Sequence, residues 1–199
     1  GIRVALFPTR PDRRQTHDDS ASRGGIGGGA ETAILFYLGT HRATHIGKTS
    51  APLCVSHRQL PRRRLPVSDG PVIIDSGGFS ELSLYGEWRT TAAEYVAAGR
   101  RYRDEIGNID FLATQDWMCE PFILKKTGRT IKYHQKRTID SYEELKARAS
   151  EINWLPVLQG WHYDDYLEHL SMYKTRGHDL TRLDQVGVGS ICRRQGTDE

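Results

Sequence analysis

Six short apolar runs punctuate the chain from residue 34 onward: Ile34-Leu-Phe-Tyr-Leu38, Leu53-Cys-Val55, Val72-Ile-Ile74, Ile109-Asp-Phe-Leu112, Trp154-Leu-Pro-Val-Leu158 and Val186-Gly-Val188. Their lengths and their β-branched and aromatic content fit strands buried on both faces. Between the later runs the spacing of apolar positions becomes helical. Thr91 and Glu94 form a capping box, after which Tyr95, Gly99, Tyr102 and Ile106 share one face. A second helix puts Thr138, Tyr142, Leu145 and Ala149 on one side. A third carries Asp164 and Asp165 in its first turn, a stripe of Tyr166, Leu167, Leu170 and Tyr173, and Gly177 as its stop. Strand and helix in alternation predict an α/β fold with a parallel sheet.

Residues 1–32 read differently. Pro8, Pro11, the polar stretch Arg13 to Gln15 and the cluster Gly24-Gly-Ile-Gly-Gly-Gly29 describe a loop-rich segment behind a short strand at Val4-Ala-Leu-Phe7. The glycine cluster lacks the strand immediately before it that a dinucleotide fingerprint requires.

The residues just past each strand choose between an open sheet and a barrel. Asp75 comes directly after the third run, Asp116 after the fourth and Gln159 after the fifth, and Gly187 to Ser190 span the sixth. In a (β/α)8 barrel all strand C-termini open onto one face, so these groups converge, whereas an open sheet spreads them along an edge. A complete barrel needs about 250 residues. The 199 residues here therefore predict a partial TIM-type barrel over 33–199, with about six strands and the C-terminal units missing.

Composition trims the functional classes. Charged residues make up 27% and hydrophobic residues 37%, a globular balance, and no apolar run is long enough to span a membrane as a helix. Cys54, Cys119 and Cys192 are too scattered for a disulfide framework or a zinc site, which fits a cytoplasmic protein. A net charge of +3 permits a polyanionic partner without requiring one. Arg62-Arg-Arg64, Arg100-Arg101 and Arg193-Arg194 read first as solvated charge. His41, His45, His57, His134 and His162 show no metal spacing.

The chemistry concentrates in Asp75-Ser-Gly-Gly-Phe79. A carboxylate at a strand end, two glycines without Cβ atoms (Gly77 and Gly78) and the flat ring of Phe79 suit a planar heterocycle with N–H donors, guanine above all. Asp116, flanked by Trp117 and Met118, adds a second carboxylate. Gln159 can donate to a base carbonyl, with Gly160 keeping the approach open and the backbone of Gly189 and Ser190 closing the pocket.

These segments, in this order and spacing, resemble the tRNA-guanine transglycosylase superfamily over roughly residues 34 to 196. Phe36-Tyr-Leu-Gly-Thr-His41, Gln115-Asp-Trp-Met-Cys-Glu-Pro121 and Gly187-Val-Gly-Ser-Ile-Cys-Arg-Arg-Gln195 are more similar to its deoxypurine-in-DNA branch. The resemblance implies exchange of guanine for a 7-deazaguanine derivative, in DNA rather than tRNA, through a covalent aspartyl-nucleotide intermediate. It implies Asp75 as the catalytic proton acceptor and donor. Ser76, Gly77, Gly78, Phe79, Asp116, Met118, Gln159, Gly160, Gly189 and Ser190 are the implied base-binding set. Two departures stand out: Ser80 replaces the usual glutamine after the first phenylalanine, and Ser190 replaces the second glycine of a Gly-Gly-Leu turn. The superfamily's nucleophilic aspartate and its zinc ligands, where present, lie beyond the segment matching Gly187 to Gln195. No metal or cofactor ligand is thus expected in this chain, and Asp184 and Asp198 are poor substitutes for the nucleophile. Three other readings stay open: a tRNA-guanine (queuine) transglycosylase acting on tRNA, a non-catalytic base-binding or nucleic-acid-binding subunit, and a barrel hydrolase using Asp75 and Asp116 as acid and base.

Overall fold

The computed structural model describes residues 7–9, 33–60 and 64–191. Phe7–Thr9 (β1) pairs antiparallel with Ala33–Leu35 (β2). Leu38–Thr40 (β3), Leu53–Ser56 (β4) and Ser68–Asp75 (β5) come next, then the helices Gly78–Tyr85 (α1) and Ala92–Ile106 (α2). Gly107–Ala113 (β6) leads to Pro121–Thr127 (α3) and Ile131–Arg148 (α4). Trp154–Leu155 (β7), Val157–Leu158 (β8), Tyr163–Thr175 (α5) and Gly187–Val188 (β9) complete the described elements.

The sheet keeps chain order. β3, β4, β5, β6 and β7 are neighbours in that sequence and all parallel, and β8 pairs in parallel with β9. β7 and β8 are halves of one extended segment interrupted at Pro156, which has no N–H to place in a ladder. Leu155 O accepts from Thr114 N on the β6 side, while Pro156 O accepts from Gly187 N at 2.8 Å on the β9 side. One segment thus carries the parallel order from β6 across to β9.

Alternation along the strands sorts the core into two faces. Leu53, Val55, Val72, Ile74, Leu112 and Trp154 point toward the helices and pack with Tyr95, Tyr102, Ile106, Ile139, Tyr142 and Leu145. Cys54, Ile73, Phe111 and Leu155 cluster with Tyr37 on the other face. Gly99 sets how closely α2 can lie on the sheet, since a Cβ there would stand 2.8 Å from Leu112 Cδ2.

The Thr91–Glu94 capping box is present, and Tyr95, Gly99, Tyr102 and Ile106 are buried along α2 as the spacing predicts. Three expectations change. The run Ile34 to Leu38 divides into β2 and β3, which belong to different sheets. In α5 the buried positions are His169 and Tyr173, while Leu167 is exposed, so the stripe is narrower than its apolar residues imply. The helices α1 and α3 escape the periodicity because seven or eight residues span too few turns to establish one. The glycine cluster Gly24 to Gly29 lies outside the described residues.

Candidate active site at the strand ends

β5 delivers Asp75 as its last residue, and β6 delivers Asp116 three residues past its end. Between Asp75 and α1, Gly77 takes the left-handed conformation, with φ +79°, at the N-cap of a helix that starts at once. Ser76 is fully buried and donates from Oγ to Asp116 Oδ1 at 2.8 Å, while accepting Gly78 N–H at 3.2 Å. One short turn therefore ties the two carboxylate segments together.

Both carboxylates are buried. Burial raises the pKa of Asp75, opposed by hydrogen bonds from Gly77 N–H and the Ser56 hydroxyl, and its Oδ1 has no partner among the described residues. Asp116 is pushed up to about 7, first by burial and then by the charge of Asp75. Two buried acids with raised pKa values thus stand at adjacent strand ends, each holding a proton more readily than an exposed carboxylate does.

Gln159 comes just after β8 and is fully buried. Its Nε2 donates to Asp116 Oδ2, and its Oε1 accepts from Ser190 Oγ at 2.7 Å. Ser190 Oγ also lies 3.0 Å from Glu120 Oε2 and accepts Cys119 N–H at 2.8 Å. The row Asp116, Gln159, Ser190, Glu120 has three contacts, and each needs one proton. The amide and the hydroxyl supply one each along the row, so one of the two carboxyls carries the third. With the amide oriented as found, that proton sits on the Glu120 end. If the amide turns over, it sits on Asp116.

The backbone of Gln159 is clamped from the helices. His169 on α5 accepts Gln159 N–H at Nδ1 over 2.8 Å, which leaves the proton on Nε2, aimed at Gln135 O at 3.1 Å. Gln135 on α4 donates from Nε2 to Gln159 O at 2.9 Å and to Asp165 O at 2.8 Å. Burial lowers His169 to about 4, so the ring is neutral at physiological pH.

The predicted positions are therefore drawn to one end of the sheet. Asp75, Ser76, Asp116, Gln159 and Ser190 form a contiguous buried polar group. Phe79 and Met118 belong to a neighbouring apolar cluster with Leu82, Trp88, Trp117 and Ile123. The glycines also have packing reasons. A Cβ on Gly78 would stand 2.9 Å from Asp116 O, one on Gly160 2.7 Å from Asp165 Cβ, and one on Gly189 2.1 Å from Gln159 Nε2. Asp184 instead lines a cleft with Asp110 and Asn153 around the strand starts, away from Asp75. Asp198 and the Arg193-Arg194 pair lie outside the described residues. Arg100 and Arg101 are bound to Glu151 and Glu105.

Glu120, Gln135 and His169 were not singled out by sequence reasoning. Glu120 stands inside the 115–121 segment, so proximity could have found it. Gln135 and His169 sit on helices whose apolar stripes hide them. Among the described residues no three His, Cys, Asp or Glu side chains are grouped to hold a metal ion, and no helix is long and apolar enough to cross a membrane.

A parallel sheet in chain order thus brings two buried acids and a buried amide together at its strand ends. The chain belongs to the family of deoxypurine in DNA protein A, whose family model matches residues 33–199. Membership associates it with deoxypurine modification in DNA. No curated protein matches the chain.

Proposed function

We propose that this protein exchanges guanine in DNA for a 7-deazaguanine derivative, and that its sheet is an arc of a (β/α)8 barrel. Chain-order parallel neighbours with helices packed on one face support the barrel, because a doubly wound sheet reverses its strand order partway. The observation that carries the function is the pair of buried acids, Asp75 and Asp116, with Gln159 bonded to the second.

Guanine offers N1–H and an exocyclic amine beside the O6 acceptor. Its edge replaces Gln159 Nε2 at Asp116, and the released amide donates to O6. Phe79 and Met118 supply the apolar walls. A carboxylate from beyond the Gly187 to Gln195 segment, as the superfamily resemblance implies, bonds C1′ while the C1′–N9 bond breaks. The proton held on Asp75 passes to the departing base. The incoming 7-deazaguanine gives its proton to Asp75 as its own bond to C1′ forms and the carboxylate is released. A duplex base must be flipped out first.

Incubating the full-length protein with labelled 7-cyano-7-deazaguanine and either DNA or tRNA tests this reading. Label is expected in DNA, and its loss in Asp75→Asn is expected with the fold intact. Label in tRNA alone, or undiminished incorporation by Asp75→Asn, would overturn it.

A further inference from the structure

Between residues 121 and 139 the chain carries Lys125, Lys126, Arg129, Lys132, Lys136 and Arg137 and no aspartate or glutamate, although overall it holds 28 basic against 25 acidic residues. All six are exposed. The structure divides them. Lys132 pairs with Glu168, and Lys136 and Arg137 reach Asp140. Lys125, Lys126 and Arg129 have no carboxylate partner among the described residues.

Those three sit beside the site. On α3, Phe122, Lys125 and Lys126 share a face, since positions three and four apart are neighbours on a helix, while Ile123 turns into the core. Phe122 is 43% exposed, and its ring centroid lies 5.8 Å from that of Phe79, which ends the Asp75 turn. Arg129 stands over Tyr133 at 5.1 Å, and Tyr133 meets Trp117, the neighbour of Asp116, at 5.8 Å. A basic, aromatic-studded ridge thus borders both carboxylate segments.

We infer that Lys125, Lys126 and Arg129 hold the phosphodiester backbone of the DNA strand whose base enters the site, with Phe122 against the exposed nucleotide beside it. This assignment rests on the proposed function. Cations without a carboxylate partner release counterions on meeting phosphate, and an exposed aromatic among them stacks on bases without regard to sequence. Lys132, Lys136 and Arg137 would first have to leave their own carboxylates.

The test measures binding of a 20-base-pair DNA against salt for the full chain and for Lys125→Gln/Lys126→Gln/Arg129→Gln. Three lost phosphate contacts are expected to make the slope of log K on log salt shallower by about 2.7 and to weaken binding roughly a hundredfold at 0.1 M salt. Lys146→Gln/Arg148→Gln, in the last turn of α4, is expected to leave the slope unchanged. An unchanged slope in the triple variant, an equal loss in the control pair, or tighter binding of tRNA than DNA overturns the assignment. Binding of free 7-cyano-7-deazaguanine separates the two readings. If the triple variant keeps base binding and loses the DNA slope, the ridge stands. If even the unaltered protein binds no base, the proposed function fails whatever the slope.

Discussion

Ser190 donates its one hydroxyl proton to Gln159 Oε1 at 2.7 Å while its own backbone is held at φ +57°, the only positive φ outside glycine among the described residues. A side chain in this region costs about 1 kcal/mol or more. The hydroxyl offsets that cost, because Gln159, Glu120 and Cys119 N–H all meet it in a buried place.

Two substitutions separate strain from bonding. Ser190→Ala keeps the strain and abandons the buried partners, at about 1–3 kcal/mol for the unsatisfied groups. Ser190→Gly abandons the same partners and relieves the strain. Urea denaturation is expected to rank the unaltered protein first, Gly second and Ala last, with the two variants about 1 kcal/mol apart. Equal stability of the two would show that the backbone at 190 is unstrained.

Asp116 gives a pH signature. Its native pKa of about 7 lies above an unfolded value of about 3.9, so the native state binds the proton more tightly. The stabilisation is full below about pH 4 and is lost as pH climbs toward 7. Asp75 is raised by burial and acts in the same direction. Asp116→Asn removes one of these titrations, and the amide can still accept from Gln159 and donate to Ser76. Its stability relative to the unaltered protein is expected to improve steadily from about pH 4 to 7, read from urea midpoints. A constant difference over that range would reject the raised pKa.

How legible this arrangement was in the sequence depends on how local its causes are. Asp75, Asp116 and Gln159 could be found because each comes after an apolar run, and the backbone geometry of a parallel sheet then sends them to one end. The Thr91–Glu94 cap was legible for the same local reason. The Gln135 and His169 clamp was not, since nothing in either helix's pattern says which buried position faces Gln159. Nor did the glycines announce themselves as packing positions, because the atoms that crowd Gly78 come from residues 10 and 38 positions away and those that crowd Gly189 from a residue 30 positions away. The Ile34 to Leu38 run misled because continuous hydrophobicity carries no mark for the place where a chain leaves one sheet and joins another.

His169 titrates in the opposite sense. Its native value of about 4 lies below the unfolded value of about 6.5, so its contribution is full above about pH 6.5 and is lost as pH falls toward 4. His169→Ala leaves Gln159 N–H and Gln135 O without their partner, whereas His169→Gln can accept and donate along the same line. Base affinity is expected to fall in the Ala variant and to return substantially in the Gln variant, whose acid-side loss of stability is also reduced. If Ala destabilises the fold while base affinity at neutral pH is untouched, His169 is structural and does not position Gln159.

Gly189 tests whether the Gln159 amide must lie where it does. A Cβ there would stand 2.1 Å from Nε2 and 2.6 Å from Cδ, so Gly189→Ala forces the amide off Asp116. Losing that hydrogen bond, which lowers the pKa of Asp116, is expected to move its titration above about 7. Base affinity is expected to drop about tenfold, because the displaced amide can no longer donate to O6 of the bound base. The decisive comparison is a double-mutant cycle with Gln159→Ala, which removes the atoms that clash. If Gly189 acts only through Gln159, adding Gly189→Ala to Gln159→Ala costs little further affinity. Additive losses would instead mean that the backbone at Gly189 meets the base directly.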